Sequence, residues 1–409
     1  MAHGPRVAHD CTRPPAFVES LMNDLTMSRP KLGLVLPGGG ARAAYQAGVL
    51  KAIAEQLPAD APNPFPVISG TSAGALNAAL IATHALNFRN GVEQLAGIWG
   101  HIHSHRVFRT DAFTIFKNSM YWLMTLLHAG FGRRNPISLL DNTPLRRLLE
   151  QHIVFARLQE AINTGSLDAL AITCSGYTSA RAVSFYEGRP DLKPWHRTRR
   201  LGQPVELRLD HIMASVSLPA LFPAIRLGRE YFGDGSLRQA APLSPVVHLG
   251  ADRILVIGVR NEQPTKLPAE GETVPYPPLG QIAGYLLDVI FSDSVYADLE
   301  RLQRINTTIG RMSQQEFHEQ PLKIIDTLVI VPSADIRDIA RRHIYEFPQS
   351  MRLLLRAMGG LHKTGSQLLS YLLFEAGYCQ ELIELGRKDG LAQADKILQF
   401  IAGSAHTTG

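Results

Sequence analysis

The feature that most constrains this chain is a serine between two glycines at the point where a strand gives way to a helix. Residues 70–74 read Gly-Thr-Ser-Ala-Gly. Ahead of them Val67 and Ile68 are β-branched and apolar, as a short buried strand requires. From Ala73 onward Ala and Leu dominate, a helix-forming composition. A strand that turns abruptly into a helix at Ser72 lifts the hydroxyl out of the fold on a strained elbow. Gly70 and Gly74 let the neighbouring backbones approach it. The positive end of the following helix dipole favours an alkoxide developing there, which makes Ser72 a candidate nucleophile. The plainer alternative is a tight βα turn with Ser72 as the helix N-cap.

The surrounding pattern is that of an α/β domain. Lys31–Leu36 is a near-continuous apolar run of the kind buried on both faces of a sheet, and Pro37 stops it. Gly38-Gly39-Gly40 and Ala41-Arg42 follow, then a predicted helix from about Ala43 to Gln56 with one apolar stripe. Strand, helix, strand, helix is the rhythm of a parallel, right-handed sheet. Leu170–Cys174 and Ala182–Tyr186 read as paired strands around a turn at Gly176, and Arg253–Val259 and Leu328–Val331 as later strands. Residues 189–209 read as a polar, basic loop, either a solvated connector or a phosphate-facing rim. Asp210 is a fair N-cap for a short helix ended by Pro219. The boundaries expected are a flexible lead-in over 1–30 and a catalytic α/β core over 31–260. Residues 261–335 add a proline-rich excursion, a helix and a late strand, and 336–409 a helical C-terminal extension.

Composition narrows the function classes. With 409 residues, 45% of them apolar and 19% charged, the chain reads as an ordinary soluble globular protein. A net charge of +5 is too mild to argue for nucleic acid, though compatible with resting on an anionic membrane surface. The three cysteines are too far apart for a disulfide framework or a zinc spacing, which suits a reducing cytosol. No apolar core of a signal peptide and no membrane-spanning run is legible. Aromatic residues crowd residues 95–135, with Met120–Leu127 at the centre, and read as a core helix or as a wall over an apolar pocket. His101, His103 and His105 would share a face if this stretch were a strand, but without an acidic or thiol neighbour in sequence they read as solvated histidines and not as a metal site.

The base that would serve Ser72 is less obvious. Fifteen histidines are present, none in a signature context, whereas Asp234 lies between Gly233 and Gly235 after an aromatic pair. A Ser–Asp dyad would place the hydroxyl proton directly on the carboxylate, which calls for a partly desolvated aspartate with a raised pKa. Gly38, Gly39 and Gly40 end a strand and open a helix, so their backbone N–H groups are suited to an oxyanion hole beside the elbow.

Three blocks in this order, Gly38-Gly-Gly-Ala-Arg42, Gly70-Thr-Ser-Ala-Gly74 and Asp234-Gly-Ser236, resemble those of the patatin-like phospholipases, as do Asn77 and Ser215-Val-Ser-Leu-Pro219. The chain has Ala43 after the arginine where that family commonly has Gly, and Ser236 where it often has Gly or Ala. The resemblance, over roughly residues 31–260, implies a three-layer α/β/α fold with a mostly parallel central sheet. It further implies a lipid acyl hydrolase without cofactor or metal, cytoplasmic or peripheral at the inner membrane surface. Ser72 would be its nucleophile, Asp234 its base, and Gly38, Gly39, Gly40, Ala41 and Arg42 its oxyanion loop, with Gly70, Gly74 and Gly235 supporting them. Acyl substrate and oligomeric state stay open. Two other readings compete. Gly38-x-Gly40-x-x-Ala43 satisfies a Rossmann dinucleotide fingerprint, although Gly70-Thr71-Ser72 stands where an acidic residue should hold the ribose. A catalytically silent lipid-binding scaffold is the third.

Overall fold

Leu32–Leu36, strand β1, is buried along its whole length, and its side chains divide between two cores. Leu34 and Leu36 join one apolar cluster, while Val35 joins the other. The same alternation runs through β2 (Val67–Thr71), where Ile68 and Val67 part, and through β9 (Arg253–Ile257), where Leu255 and Ile257 oppose Ile254 and Val256. Successive side chains of a strand point to opposite faces, so a strand apolar at every position needs cover on both sides. That requirement produces three layers, helix on sheet on helix. The computed structural model describes residues 30–109, 111, 120, 138–261, 276–312, 322–357 and 366–403.

The sheet runs β10 (Asp326–Ile330), β9, β1, β2, β3 (Ala169–Gly176), β4 (Ala182–Gly188), β6 (Arg200–Pro204), β5 (Trp195–His196). The five strands from β10 to β3 are mutually parallel, and β4 turns back antiparallel along β3. A hairpin of β7 (Ile225–Leu227) and β8 (Glu230–Asp234) adds to β3 beyond the end of β2. Thr71 is paired with Thr173, and the next residue of β3, Cys174, is paired with Asp234. Two strands thus share one edge of β3 and meet end to end.

On the larger core's side lie helices Ala44–Gln56, Ala73–Thr83 and Phe88–Gly100, together with Ala376–Ala392. The last packs on the first so closely that a Cβ on Gly48 would stand 2.0 Å from the Ile383 carbonyl oxygen. Glycine there lets two helix backbones touch. The opposite face is covered by the helices Ser244–His248 and Ser294–Ile309.

Two local expectations change, and the histidine cluster is placed. Residues 189–209 are not a loop throughout: Trp195–His196 and Arg200–Pro204 add the outermost strands, with Trp195 stacked between Tyr186 and His248. The short helix runs Leu209–Ser215, so Arg208 takes the N-cap position, Asp210 falls in the first turn, and the helix ends before Pro219. His101, His103 and His105 are not on a strand. His101 follows the helix Phe88–Gly100, and His103 precedes a helical turn at Ser104–Val107. His103 is bonded to Glu375, a partner 272 residues away that local sequence could not show. Among the described residues no group of three or more His, Cys, Asp or Glu is arranged to hold a metal ion. At the centre of the aromatic segment Met120 is exposed, and residues 121–127 lie outside the described residues.

Candidate active site

Ser72 links β2 to the helix Ala73–Thr83 with φ of 53° and ψ of −131°. A positive φ on a residue carrying a Cβ is strained, and the surrounding structure has to impose it. Two contacts do so. The Ser72 N–H donates to Ser215 Oγ at 2.9 Å, and that hydroxyl in turn donates to the Thr173 carbonyl at 2.7 Å. Behind the elbow, a Cβ on Gly74 would stand 2.0 Å from the Leu36 carbonyl oxygen, so the helix can seat on the end of β1 only with glycine there. The bond expected of an N-cap serine is absent: its side chain accepts none from the helix.

The hydroxyl points at Asp234. Ser72 Oγ donates to Asp234 Oδ2 at 2.6 Å, and the two residues are 3% and 0% exposed. The other carboxylate oxygen accepts from the Ser236 N–H at 2.9 Å, and the Asp234 N–H donates to the Ser217 carbonyl at 2.8 Å. Ser215 and Ser217, two residues apart, therefore hold the backbones of both partners. Complete burial pushes the Asp234 carboxyl up from 3.8 to about 6, against the lowering effect of the bonds from Ser72 and Ser236. No histidine among the described residues is hydrogen-bonded to either side chain. Gly235 sits over β3, where Ser175 Oγ donates to its carbonyl.

The glycine loop enters from β1. Gln46 donates to the Pro37 and Ile257 carbonyls, and Asn77 Nδ2 donates to Gln46 Oε1 at 2.8 Å while its own oxygen accepts from Trp99 Nε1. These groups are buried and mutually satisfied, which fixes the start of the loop. Gly40 has φ of +53°, and a Cβ on it would stand 2.3 Å from the Tyr371 carbonyl oxygen, so this position admits glycine alone. Ala41 is fully buried in the short helical turn that follows. The Arg42 guanidinium, 2% exposed, is engaged by Asp288, Ser370 and Tyr371. Phe291 fills the space in front of Gly38, within 2.6 Å of where a Cβ would lie, so the loop is packed against protein where a dinucleotide would need room for its pyrophosphate.

Between Gly40 and Ser72 opens a cleft that reaches solvent. Its walls are almost wholly apolar: Leu76, Trp99, Ile102, Val107, Leu145, Val216, Leu218, Phe222, Phe291 and Phe374. A buried hydroxyl bonded to a carboxylate therefore faces a hydrocarbon-lined channel. The family model of the patatin-like phospholipases matches residues 34–247.

The chain belongs to the patatin-like phospholipase family.

This patatin-like protein is similar in structure to human GIVD cytosolic phospholipase A2 in complex with methyl gamma-linolenyl fluorophosphonate, at a TM-score of 0.43 and 14% identity, covering 94% of this chain and 61% of that one. Full-length ExoU of Pseudomonas aeruginosa, in complex with SpcU, is matched at a TM-score of 0.25 and 17% identity over 90% of this chain and 78% of that one. The patatin-like chain thus spans about three fifths of the human enzyme's length. No curated protein matches its sequence. Sequence reading missed Ser215 as the brace of the elbow and the whole set around Arg42. The block Ser215-Val-Ser-Leu-Pro219 was the only signal that the former existed.

Proposed function

We propose that this protein is a serine lipid acyl hydrolase working through a Ser72–Asp234 dyad. The observation that supports this most is the 2.6 Å bond between the two buried side chains on a strained elbow. Asp234, pushed up to about 6, is mostly ionised at neutral pH and basic enough to draw a proton. As Ser72 Oγ attacks an ester carbonyl, its proton passes to Asp234 Oδ2. The carbonyl oxygen takes the charge and is held by backbone N–H groups of the loop Gly38–Ala41. Collapse of the tetrahedral adduct expels the alcohol, which leaves with the Asp234 proton. Water then attacks the acyl-Ser72 ester with Asp234 again as base. Collapse of this second adduct breaks the acyl–Oγ bond, releasing the fatty acid as Ser72 takes the proton back from Asp234. Nucleophile, base and donors all come from the chain, so this route calls on no cofactor.

The apolar cleft beside Ser72 suits the acyl chain of a lipid. No described helix is long and apolar enough to cross a membrane. We place the encounter with substrate at a lipid surface, for which two outward features are suited. Arg197 and Arg199 lie near the outermost strands. Helix Leu279–Asp288 exposes Leu279, Ile282, Tyr285 and Leu286, and its only charged residue, Asp288, is buried.

The deciding experiment uses a fluorophosphonate probe and a panel of defined phospholipids, lysophospholipids and glycerides with mass spectrometry of the products. The native protein should be labelled and should release fatty acid, and Ser72→Ala should do neither. Equal labelling of the variant would remove Ser72 from the role.

A further inference from the structure

We propose that Asp288 is a positioning residue for the oxyanion loop, acting through Arg42. The inference rests on the dyad reading above and names a group outside the matched family region, residues 34–247.

Arg42 closes the glycine loop, and its charge is spent inside the protein. Nη1 donates to Asp288 Oδ1 at 3.1 Å and to Tyr371 Oη at 3.0 Å, and Nε and Nη2 both donate to Ser370 Oγ at 2.9 and 2.7 Å. The guanidinium also lies 3.7 Å from the centre of the Tyr371 ring. A cation so engaged cannot turn toward an oxyanion without breaking these buried hydrogen bonds and leaving Asp288 with only the more distant, half-exposed Arg260 as counter-ion, which is costly. Its service to the site is therefore geometric.

Asp288 gathers the set. Besides Arg42 it accepts from Tyr371 Oη at 2.5 Å and from Gln367 Nε2, and Arg260 reaches its second oxygen at 3.6 Å. From the same run of chain, within one π-helical turn at Val289–Asp293, Phe291 fills the space before Gly38. π-Helical turns are rare and concentrate at functional sites. At the other end of the loop the Tyr371 carbonyl lies against Gly40. One element, residues 288–291, thus bears on both ends of the loop, directly through Phe291 and through Arg42 and Tyr371 from Asp288.

Loop amides hold an oxyanion only if their direction is preset, and a displaced donor counts as a lost one. Asp288→Asn keeps the shape and removes the charge that orients Arg42. The expected result on a soluble p-nitrophenyl ester is a fall in kcat of about 10²-fold, the scale of one oxyanion donor, with KM within twofold. Fluorophosphonate labelling should slow in parallel, and the acid limb of the pH profile, set by Asp234, should not move. Tyr371→Phe, which removes the hydroxyl's bonds to Arg42 and Asp288 but keeps the ring and the Arg42–Asp288 ion pair, should give a smaller loss of the same kind and serves if Asp288→Asn does not fold. In an Arg42→Lys background, Asp288→Asn should add less than twofold, because residues acting through one another are not additive. Native turnover in a folded Asp288→Asn or Tyr371→Phe protein, or losses that multiply in the double variant, would overturn the proposal while Ser72→Ala remained inactive. Turnover by Ser72→Ala would instead overturn the dyad reading.

Discussion

Asp234 continues, beside Cys174, the edge of β3 along which Thr71 is paired with Thr173. β2 arrives parallel to β3 and β8 arrives antiparallel, so their C-terminal ends point at one another across a single residue step. The residue after Thr71 is Ser72, and the last residue of β8 is Asp234. Hydrogen-bond register, more than side-chain packing, therefore brings nucleophile and base candidates together. Loops can change around such a pair without parting it.

The pH dependence follows from burial of Asp234. In the proposed dyad the carboxylate must be ionised to accept the serine proton, so kcat/KM should fall below about pH 6 and approach a tenfold loss per unit. Stability runs the other way. A carboxyl pushed up on folding favours the folded state when protonated, and that contribution is lost as pH rises through about 6. Asp234→Asn should therefore be inactive yet more stable than the native protein at pH 8, by about 3 kcal/mol for a shift of this size. Below about pH 4 the difference should vanish. Urea titrations at the two pH values check it, and a variant less stable at pH 8 would contradict it.

Ser215→Ala removes the acceptor of the Ser72 N–H and leaves that buried donor unpaired. The expected cost is about 1–3 kcal/mol of stability. Turnover should fall as well, since the elbow loses the bond that imposes its positive φ. Thermal unfolding and ester hydrolysis on one preparation would test both, and loss of neither would show the elbow to be self-supporting.

Glycine substitutions should separate by what the new methyl meets. Gly74→Ala drives it into the Leu36 carbonyl, which belongs to the central sheet and cannot yield, so the cost should exceed about 3 kcal/mol or prevent folding. Gly39→Ala directs it toward the Val259 side chain, a softer neighbour, and should cost about 1–2 kcal/mol. Comparable melting points for the two variants would show that the elbow can shift.

Leu218→Trp narrows the apolar cleft without touching the dyad. Rates on p-nitrophenyl acetate should stay within a few-fold of native, whereas kcat/KM on long-chain esters should drop by about tenfold, roughly the discrimination of one or two methylenes in an apolar pocket. An equal fall for short and long chains would place the acyl chain elsewhere.

Vesicle flotation should show attachment to anionic liposomes that weakens with salt. Arg197→Gln with Arg199→Gln should reduce the salt-sensitive part, and Tyr285→Ser with Leu286→Ser the part that salt leaves behind. Binding unchanged by both pairs would exclude these surfaces.

Much of the site was legible because its chemistry is local. Glycines beside Ser72 and Asp234 announce close backbone approaches, and continuous apolar runs announce strands covered on both faces. What stayed hidden is carried by pairs remote in sequence. Arg42 meets Asp288 across 246 residues and Ser370 across 328, and no periodicity records such a meeting. Hydroxyl bracing by Ser215 leaves no trace in composition. The strands β5 and β6 lie in a stretch whose arginines mimic a solvated loop. There Trp195, stacked between Tyr186 and His248, supplies the burial that charge counting overlooks.

The contact of Gly40 with the Tyr371 carbonyl also orders events in time. A ribosome releases the chain from one end, so the serine and the aspartate emerge and can pair long before residue 371 leaves the exit tunnel. Until it does, the glycine loop at Gly38–Arg42 lacks the surface against which it is folded. If Ser72 is the proposed nucleophile, a nascent chain of this design carries it in an unarmed form until residue 371 folds back against Gly40.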